Sequence, residues 1–375
     1  MTAVPTQVIS SGARPHRLAV TGASNDSPEW VRVSGASAIA LRFRPGRFSR
    51  QFDFGGINLL LNYEDGCRSD CSYCGLARTR PGAYEDKSFI RVEWPLVATD
   101  ALVERMVRHE DILTRLCISM VTHPFAFRDT LDISRRVTSA VRAPLSVLVA
   151  PPTLNRSRLE ELHQARVDMI GIGLDAATED LFRSHRSDVP AGGAGLSWEK
   201  YWSVVRDARE IFGPWKVNCH VLVGLGETDR NLVELFVRLR EMQVFSYLFC
   251  FNPEPDSRLG GQPKSSLTRW RRVQLIKHLV ETAGFGWDEI FVDSVGRLEH
   301  LGGPAEPVRD ALRSGTAFMT NGCPGGDGQP GCTRPYGSYR PSEPFRDFPF
   351  QPETSDLEQI RTELSMREIS QKVDF

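Results

Sequence analysis

The sequence predicts an α/β protein: a complete or partial (β/α) barrel of the TIM type, with an N-terminal extension and a C-terminal segment rich in Cys, Gly and Pro. From residue 57 onward, short apolar runs alternate with longer amphipathic stretches. The apolar runs lack strict alternation, which is typical of parallel strands covered by helices. A length of 375 residues also suits a single barrel.

The elements follow one another in strand–helix order. Strands are predicted at 57–62, 116–121, 145–150, 167–175, 217–225, 245–251 and, weakly, 289–293. Helices are predicted at 97–109, 127–138, 156–164, 178–186, 197–211, 228–242, 265–283 and 306–313. Six repeats are clear and the total can reach eight, so periodicity alone does not decide whether the barrel closes. In such barrels the chemistry lies at the C-terminal ends of the strands.

Composition divides the chain into four parts. Residues 1–50, rich in Ser, Pro, Ala and Arg, are expected to form an extension that is ordered in part at most. Residues 51–314 form the barrel. Residues 315–350 are dense in Gly, Pro and aromatic side chains and contain two cysteines, and 351–375 is a polar helical tail.

Charge and hydropathy exclude several classes of partner. The net charge is −1, with no basic cluster, so neither nucleic acid nor an anionic membrane surface is expected as a partner. No apolar run approaches the roughly 18 residues of a membrane-spanning helix, and the first residues lack the apolar core of a signal peptide. We therefore expect a cytoplasmic protein, in which cysteines stay reduced and are available to bind metal.

Three of the eight cysteines lie directly after the first predicted strand: Cys67, Cys71 and Cys74. Thiolates with this spacing can bind three irons of an iron–sulfur cluster and leave one iron without a protein ligand. Such an open position can chelate a small molecule. A structural zinc site is the alternative, but zinc favours a fourth nearby Cys or His, and none follows.

This C-x3-C-x2-C segment, with Tyr73 before its last Cys, resembles the signature of the radical S-adenosylmethionine (SAM) superfamily. The resemblance implies a [4Fe–4S] cluster whose open iron binds SAM. It also implies that SAM is cleaved to methionine and a 5′-deoxyadenosyl radical, which takes hydrogen from a small-molecule or carrier-bound substrate. An external electron donor of the flavodoxin or ferredoxin type is expected as a partner.

Later strand ends supply candidate SAM contacts. Ser119 and Thr122 end the second strand, where members of the superfamily hold the methionine amine. Asp175 ends the fourth strand in a segment that resembles the ribose-binding segment of biotin-synthase-like proteins, although Asp is also a common helix N-cap. The turn after the fifth strand resembles the adenine-contacting turn of biotin and lipoyl synthases, and its candidate residues are Val223, Gly224, Gly226 and Glu227.

Further motifs resemble those of the archaeal-type, two-protein lipoyl synthases, which are biotin-synthase-like. They are WEKY at 198–201, NPEPDSR at 252–258, RRVQLIK at 271–277 and the terminal G-C…C-T-R-P-Y that ends at Tyr336, and the likeness runs from about residue 57 to 345. The resemblance implies a second, auxiliary cluster that supplies sulfur, with Cys323 and Cys332 among its ligands and Cys117 as the preferred third. The family's terminal cysteines are two residues apart, whereas eight residues intervene here.

Several positions stay open at this point. Cys219 and His220 are neighbours on a strand, so one of them faces inward. Cys250 can be a ligand or a buried apolar residue. An oxygen ligand such as Ser338 could complete the second site. A substrate anion could pair with Arg258 or Arg334. The barrel mouth is also expected to include His123, Asn252 and Glu254.

Two reactions fit these expectations. In the first, hydrogen is abstracted from an sp³ carbon and sulfur is inserted, as in lipoyl synthase. In the second, the carbon radical is oxidised, which gives hydroxylation or dehydrogenation of a larger metabolite such as a tetrapyrrole or natural product, without sulfur transfer. An iron–sulfur scaffold or redox sensor is a third function, but a sensor needs no contacts to ribose or adenine.

Overall fold

The computed structural model describes residues 24–365, apart from 49, 51, 53, 83, 85, 86, 88–91 and 188–195. Its strands are β1 (Trp30–Val33), β2 (Gly56–Leu61), β3 (Leu96–Ala98), β4 (Arg115–Ser119), β5 (Leu145–Val149), β6 (Val167–Asp175), β7 (Val217–Val223), β8 (Phe245–Cys250), β9 (Ile290–Val292) and β10 (Leu298–Leu301). Its α-helices are α1 (Gly35–Ala40), α2 (Thr99–Arg108), α3 (Ala126–Ala140), α4 (Arg156–Gln164), α5 (Glu179–Phe182), α6 (Trp198–Phe212), α7 (Asp229–Glu241), α8 (Leu267–Ala283), α9 (Ala305–Ser314) and α10 (Thr354–Leu364).

One eight-stranded sheet, ordered β3-β1-β2-β4-β5-β6-β7-β8, forms the centre of the protein. The six strands β2 and β4–β8 are all parallel to their neighbours within this set. They are the six strands that the sequence pattern predicts most clearly, and helices α2–α8 connect or follow them. The fold is therefore a partial (β/α) barrel of the TIM type.

The weak seventh strand does not extend the barrel. Residues 290–292 form β9, which pairs antiparallel with β10 in a separate two-stranded sheet. The possibility of seven or eight barrel strands is therefore wrong for the described residues. The reason is local: β10 follows β9 after a short turn and takes up its hydrogen-bonding edge, so β9 has no long crossover helix before its partner strand.

The expected boundary at residue 50 also differs from the structure. Residues 30–33 form β1, which pairs antiparallel with both β2 and β3 and so belongs to the main sheet. Val31 and Val33 are fully buried, and the side chain of Ser34 caps α1 by accepting from the amide of Ser37. Residues 1–23 of the extension and 366–375 of the tail lie outside the described residues.

The C-terminal segment 315–350 packs on the barrel largely through irregular backbone. Trp270 of α8 is fully buried and donates its indole N–H to the carbonyl of Arg346 at 2.7 Å. Arg271 on the same helix donates to the carbonyls of Phe345 and Arg346, both at 2.6 Å. These bonds fasten the segment beside β8. Within the described ranges, no helix is long and apolar enough to cross a membrane.

Candidate active site

A cavity of about 280 Å³ occupies the interior of the barrel. All six parallel strands contribute to its wall, and Val149 and Cys250 line it at the last positions of β5 and β8. The other lining residues of each strand are two positions apart because side chains alternate between the faces of a sheet. They are Asn58 and Leu60, Cys117 and Ser119, Ser146 and Leu148, Gly173 and Asp175, His220 and Leu222, and Tyr247 and Phe249. All eight cysteines of the chain are free thiols, and two groups of three lie at opposite ends of this cavity.

The first thiol group, Cys67, Cys71 and Cys74, lies at the C-terminal end of the strands, in the loop after β2. Burial raises the pKa of the Cys74 thiol well above its usual range, and the neighbouring Cys71 and Cys67 raise it further. The backbone of the loop is anchored beyond the end of β4, since the amide of Arg68 donates to the carbonyl of Thr122 at 2.8 Å. The three thiols therefore converge on the cavity.

Asp175 lies beside the first thiol group and is aimed by an irregularity in β6. The register between β6 and β7 shifts between Gly173 and Asp175, and Asp175 has a φ of 62°. A bulge of this kind re-aims a side chain, and positive φ at a non-glycine residue is common at functional sites. The carboxylate accepts a hydrogen bond from the Tyr73 hydroxyl at 2.5 Å and forms an ion pair with Arg186 at 3.4 Å.

Arg186 is a cavity residue that the sequence does not single out. Its guanidinium donates to the carbonyl of Leu174 at 2.9 Å and to the hydroxyl of Tyr201 at 3.0 Å, and it stacks over the Tyr201 ring at 4.8 Å. Its side chain is only 8% exposed. It lies in a single π-helical turn, Arg183–Ser187, that follows α5, and it reaches the cavity through tertiary contacts that the helical pattern does not indicate.

Ser119 and Thr122 both line the cavity near the first thiol group. Thr122 is buried. Burial raises the pKa of the Cys67 thiol, and a backbone hydrogen bond from Thr122 offsets part of that rise. Their contact with the methionine part of SAM stays a prediction.

The turn 223–227 is held together by its own glutamate. Glu227 accepts hydrogen bonds from the amides of Gly224 and Leu225, both at 2.9 Å, and pairs with Arg269 at 2.9 Å. Gly224 and Gly226 have φ values of 118° and 112°, which only glycine adopts without strain. Val223 is fully buried and Leu222 lines the cavity instead. The geometry thus gives Glu227 a turn-stabilising role. None of the four predicted residues of this turn is among those that line the cavity, and their contact with adenine stays a prediction.

The second thiol group, Cys117, Cys323 and Cys332, lies at the other end of the cavity. Thr114, just before β4, donates its hydroxyl to the carbonyl of Gly331 at 2.6 Å, and Arg115 donates to the carbonyl of Pro324 at 2.6 Å. The C-terminal segment therefore covers the N-terminal end of the strands. Burial raises the pKa of the Cys117 thiol, and the nearby thiols of Cys332 and Cys323 raise it further.

The long spacing between Cys323 and Cys332 is compensated by the backbone. The amide of Cys332 donates to the carbonyl of Cys323 at 2.9 Å, so the eight intervening residues form a closed loop. Gly322 permits this closure, since a Cβ on it would come within 2.0 Å of the carbonyl oxygen of Cys332. Both cysteines are 7% exposed. The two thiols are brought to one place despite their separation in sequence.

Polar side chains surround the second thiol group. The amide nitrogen of Asn218 lies 3.6 Å from the Cys323 sulfur, and the guanidinium of Arg334 lies 3.8 Å from the Cys332 sulfur. Burial raises the pKa of the Cys323 thiol, and hydrogen bonds from Ser146 and Tyr247 offset part of that rise. The sequence analysis does not identify Ser146, Asn218 and Tyr247 as site residues. Their one signal in the sequence is that each is a polar residue within an apolar run.

The structure also decides the open positions. Cys219 is fully buried among the core side chains behind β7, whereas His220 faces the cavity. Ser338 accepts a hydrogen bond from the backbone amide of Cys250 at 3.2 Å, and the Cys250 sulfur contacts Arg346 at 3.3 Å. Both residues therefore form part of the contact between β8 and the C-terminal segment.

The remaining mouth residues divide into two sets. Asn252, Glu254 and Arg334 line the cavity. Arg258 is bound to Asp70 through its carboxylate at 2.8 Å and its carbonyl at 2.7 Å, so it fastens the first thiol loop. His123 stacks on Tyr63 at 3.7 Å between ring centroids and likewise supports that loop.

These features define a class: a partial (β/α) barrel with thiol groups at both ends of an internal cavity. Residues 61–239 match the family model described as the Radical SAM superfamily. Just under half of the chain is therefore similar to the radical SAM superfamily, and the chain is also similar to biotin synthases.

Two relatives of similar sequence are biotin synthases. The chain is 27% identical over 232 residues to a biotin synthase of Geobacter metallireducens, a match that covers 61% of this chain and 66% of the relative. It is 23% identical over 279 residues to a biotin synthase of a Hydrogenobaculum species, a match that covers 73% and 74%. This chain therefore spans just under two thirds of the length of the Geobacter metallireducens protein.

Solved structures with a similar chain course include methylornithine synthase (PylB), with 14% identity, a TM-score of 0.42 and 60% of each chain covered. The FeFe-hydrogenase maturase HydG from Carboxydothermus hydrogenoformans has 15% identity and a TM-score of 0.45, with 89% of this chain and 70% of that chain covered.

The superfamily's cofactors are a [4Fe–4S] cluster and SAM, and the first thiol group fits them. Three thiols converge on one cavity wall, and the Asp175 carboxylate and Arg186 guanidinium lie beside them. Among the residues that the structure describes, no three or more His, Cys, Asp and Glu side chains form a site for a single metal ion. Cluster ligands bind different irons and lie farther apart than the ligands of one ion.

Proposed function

We propose that this protein is a radical SAM enzyme that abstracts hydrogen from an sp³ carbon and inserts sulfur there. The observation that carries the proposal is the placement of Cys117, Cys323 and Cys332 across the cavity from the first thiol group. A substrate in the cavity would have the radical source on one side and a sulfur source on the other. This arrangement suits sulfur insertion of the kind that the resemblance to lipoyl synthases implies.

When bound, a first cluster would supply an electron for the cleavage of SAM, and a second cluster, held by Cys117, Cys323 and Cys332, would supply sulfur for the substrate carbon and take up the remaining electron. Cys67, Cys71 and Cys74 would hold the first cluster. Asp175 would accept hydrogen bonds from the ribose hydroxyls, and the Arg186 cation beside it would attract the SAM carboxylate. An external flavodoxin- or ferredoxin-type protein would deliver the electrons.

The wall of the cavity is largely apolar. Leu60, Leu148, Leu222 and Phe249 contribute to it, each from a different strand. Such a wall excludes water from a reactive carbon centre and suits an unfunctionalised, saturated part of a substrate. The chemistry that the chain itself contributes here is binding, orientation and protection from side reactions.

Iron analysis tests the proposal. After anaerobic reconstitution, two cubane clusters give about eight irons per chain and one gives about four. We expect the double variant Cys323→Ala, Cys332→Ala to fall from the higher to the lower value and to lose sulfur transfer. Cys219→Ala is the matched control, because that thiol is fully buried in the core away from the cavity.

The two candidate reactions give different results in the same assay. A double variant that keeps all its iron and its product contradicts the sulfur-donor role of the second thiol group. Oxidised product without incorporated sulfur, from the wild-type protein, would assign the chain to radical hydroxylation or dehydrogenation. No 5′-deoxyadenosine with any substrate tested would contradict the radical SAM reaction itself.

A further inference from the structure

The second thiol group provides three ligands, whereas iron–sulfur clusters are usually held by four protein ligands. A fourth ligand must be a side chain near Cys117, Cys323 and Cys332 that has a lone pair free to bind iron. Ser146 accepts a hydrogen bond from Arg115 at 2.8 Å and is also bonded to Cys323. Tyr247 is likewise bonded to Cys323. Both hydroxyls are therefore already engaged.

His220 has the opposite character. It faces the cavity from β7, where its ring lies 4.7 Å from that of Phe249 and 6.2 Å from that of Tyr247. Neither ring nitrogen has a hydrogen-bond or ion-pair partner within the part of the chain that the structure describes. Burial, with a smaller contribution from the Arg334 cation, lowers the pKa of His220 to about 3. The imidazole is therefore neutral, as a metal ligand must be.

The ring of His220 leans towards the second thiol group. Gly171 pairs with Asn218, two residues before His220 on β7. A Cβ on Gly171 would lie 3.6 Å from Nε2 of His220 and 3.0 Å from Oδ1 of Asn218. Asn218 in turn contacts the Cys323 sulfur at 3.6 Å. The glycine thus leaves open a space between the imidazole and the residues that touch the thiols.

Two acceptors face this space, the side-chain oxygen of Asn218 and a ring nitrogen of His220, and they differ in the metal ions that they prefer. The buried Oδ1 of Asn218 has no hydrogen-bond partner among the described residues, and the same holds for the His220 ring nitrogens. Imidazole nitrogen is a good ligand for iron, whereas an amide oxygen suits harder ions such as calcium and magnesium. Histidine also replaces cysteine on one iron of Rieske clusters.

We infer that His220 is the fourth ligand of the second cluster, which then has the ligand set Cys117, Cys323, Cys332 and His220. The inference rests on the proposed function, because it needs a second cluster. The inference adds a nitrogen ligand to a site for which the sequence suggested only thiols and an oxygen ligand such as Ser338. A substrate contact is the competing role for the same imidazole, and the experiment separates the two.

The test isolates the second cluster by replacing Cys67, Cys71 and Cys74 with Ala in the full-length chain. This parent protein is reconstituted anaerobically with iron and sulfide, reduced, and measured by pulsed EPR with and without ¹⁵N-labelled histidine. We expect a histidine nitrogen coupling in the parent protein and its loss in His220→Gln. His220→Cys should keep the iron and lack the coupling, because a thiolate can take the same position.

A second measurement uses the chain with all its cysteines, in case the triple variant does not fold. His220→Gln should release the iron of the second cluster to a chelator at least about tenfold faster than wild type. His278→Gln is the matched control, since His278 is likewise a partly buried histidine, with a pKa lowered by burial to about 4, but lies on α8 away from the cavity lining.

The outcomes separate the inference from the proposed function. A cluster whose nitrogen coupling and iron release are unchanged in His220→Gln overturns the ligand role of His220, and leaves sulfur insertion standing if Cys323→Ala still loses iron. A parent protein that binds no iron at all, together with a wild-type protein that binds only about four irons, overturns the second cluster and the inference with it.

Discussion

Replacing Arg186 with Met tests how the SAM side of the cavity is stabilised. The substitution keeps an apolar stem of similar length, and removes the ion pair to Asp175 and the hydrogen bonds to the carbonyl of Leu174 and to Tyr201. Asp175 then keeps its hydrogen bond from the Tyr73 hydroxyl. Its carboxylate would be left partly buried without a cation beside it, because the side chain is only 18% exposed.

The expected magnitude follows from this burial. Removing one partner of a buried ion pair typically destabilises a protein by about 3–5 kcal/mol. Since Asp175 retains some exposure and one hydrogen bond, we expect a value near the lower limit, about 3 kcal/mol. In a protein that already carries Asp175→Asn, Arg186→Met should lower the free energy of unfolding by about 1–2 kcal/mol less than it does in the wild type, and this difference is the coupling energy of the ion pair.

The assay is urea unfolding of the four proteins in this double-mutant cycle, followed by tryptophan fluorescence and circular dichroism. Binding of SAM to the reconstituted proteins is measured in parallel, and we expect Arg186→Met to weaken it by at least about tenfold. Equal losses of stability in the wild-type and Asp175→Asn backgrounds would show that the ion pair is not coupled. A loss below about 1 kcal/mol would contradict the buried-pair reasoning.

Three further predictions concern stability. Burial raises the pKa of Asp347 to about 6, from 3.8 in the unfolded chain, so the folded state holds a proton between these values that the unfolded state releases. The contribution of Asp347 to the free energy of unfolding should therefore rise as the pH falls from about 7 towards about 4. Asp347→Asn should remove up to about 3 kcal/mol of this pH dependence, which urea unfolding at both pH values measures. Thr228→Ala removes the capping box of α7 and should cost about 1 kcal/mol, with unchanged iron content. Trp270→Ala should cost about 3–5 kcal/mol and release the C-terminal segment to limited proteolysis; protection equal to wild type would contradict its anchoring role.

The six barrel strands and the first thiol loop were predictable because their signals are local. Each buried parallel strand is a short apolar run, and the helix that follows shows its own period. The spacing of Cys67, Cys71 and Cys74 is likewise a property of one short loop. By contrast, β1 was missed because its four residues are too short to show a pattern, and β9 was grouped with the barrel because its apolar run resembles a barrel strand until its pairing is known.

The side of a strand that faces the cavity was not predictable from sequence. In β7 both faces are covered, so Cys219 and His220 are equally compatible with the pattern, and only the packing of the helices against one face assigns Cys219 to the core. The same reason explains why Ser146, Asn218 and Tyr247 were missed.

The sequence by itself predicted the chemistry at one end of the cavity, from three thiols, a resemblance to the radical SAM signature and the order of the strand ends around it. For the other end, a resemblance named Cys117, Cys323 and Cys332, and only the tertiary structure brings these three thiols together. Cys117 and Cys323 are distant in sequence, and their segments are joined by the hydrogen bonds from Thr114 to Gly331 and from Arg115 to Pro324. Local spacing encodes a site within one loop, whereas a site built from distant segments depends on the packing that joins them.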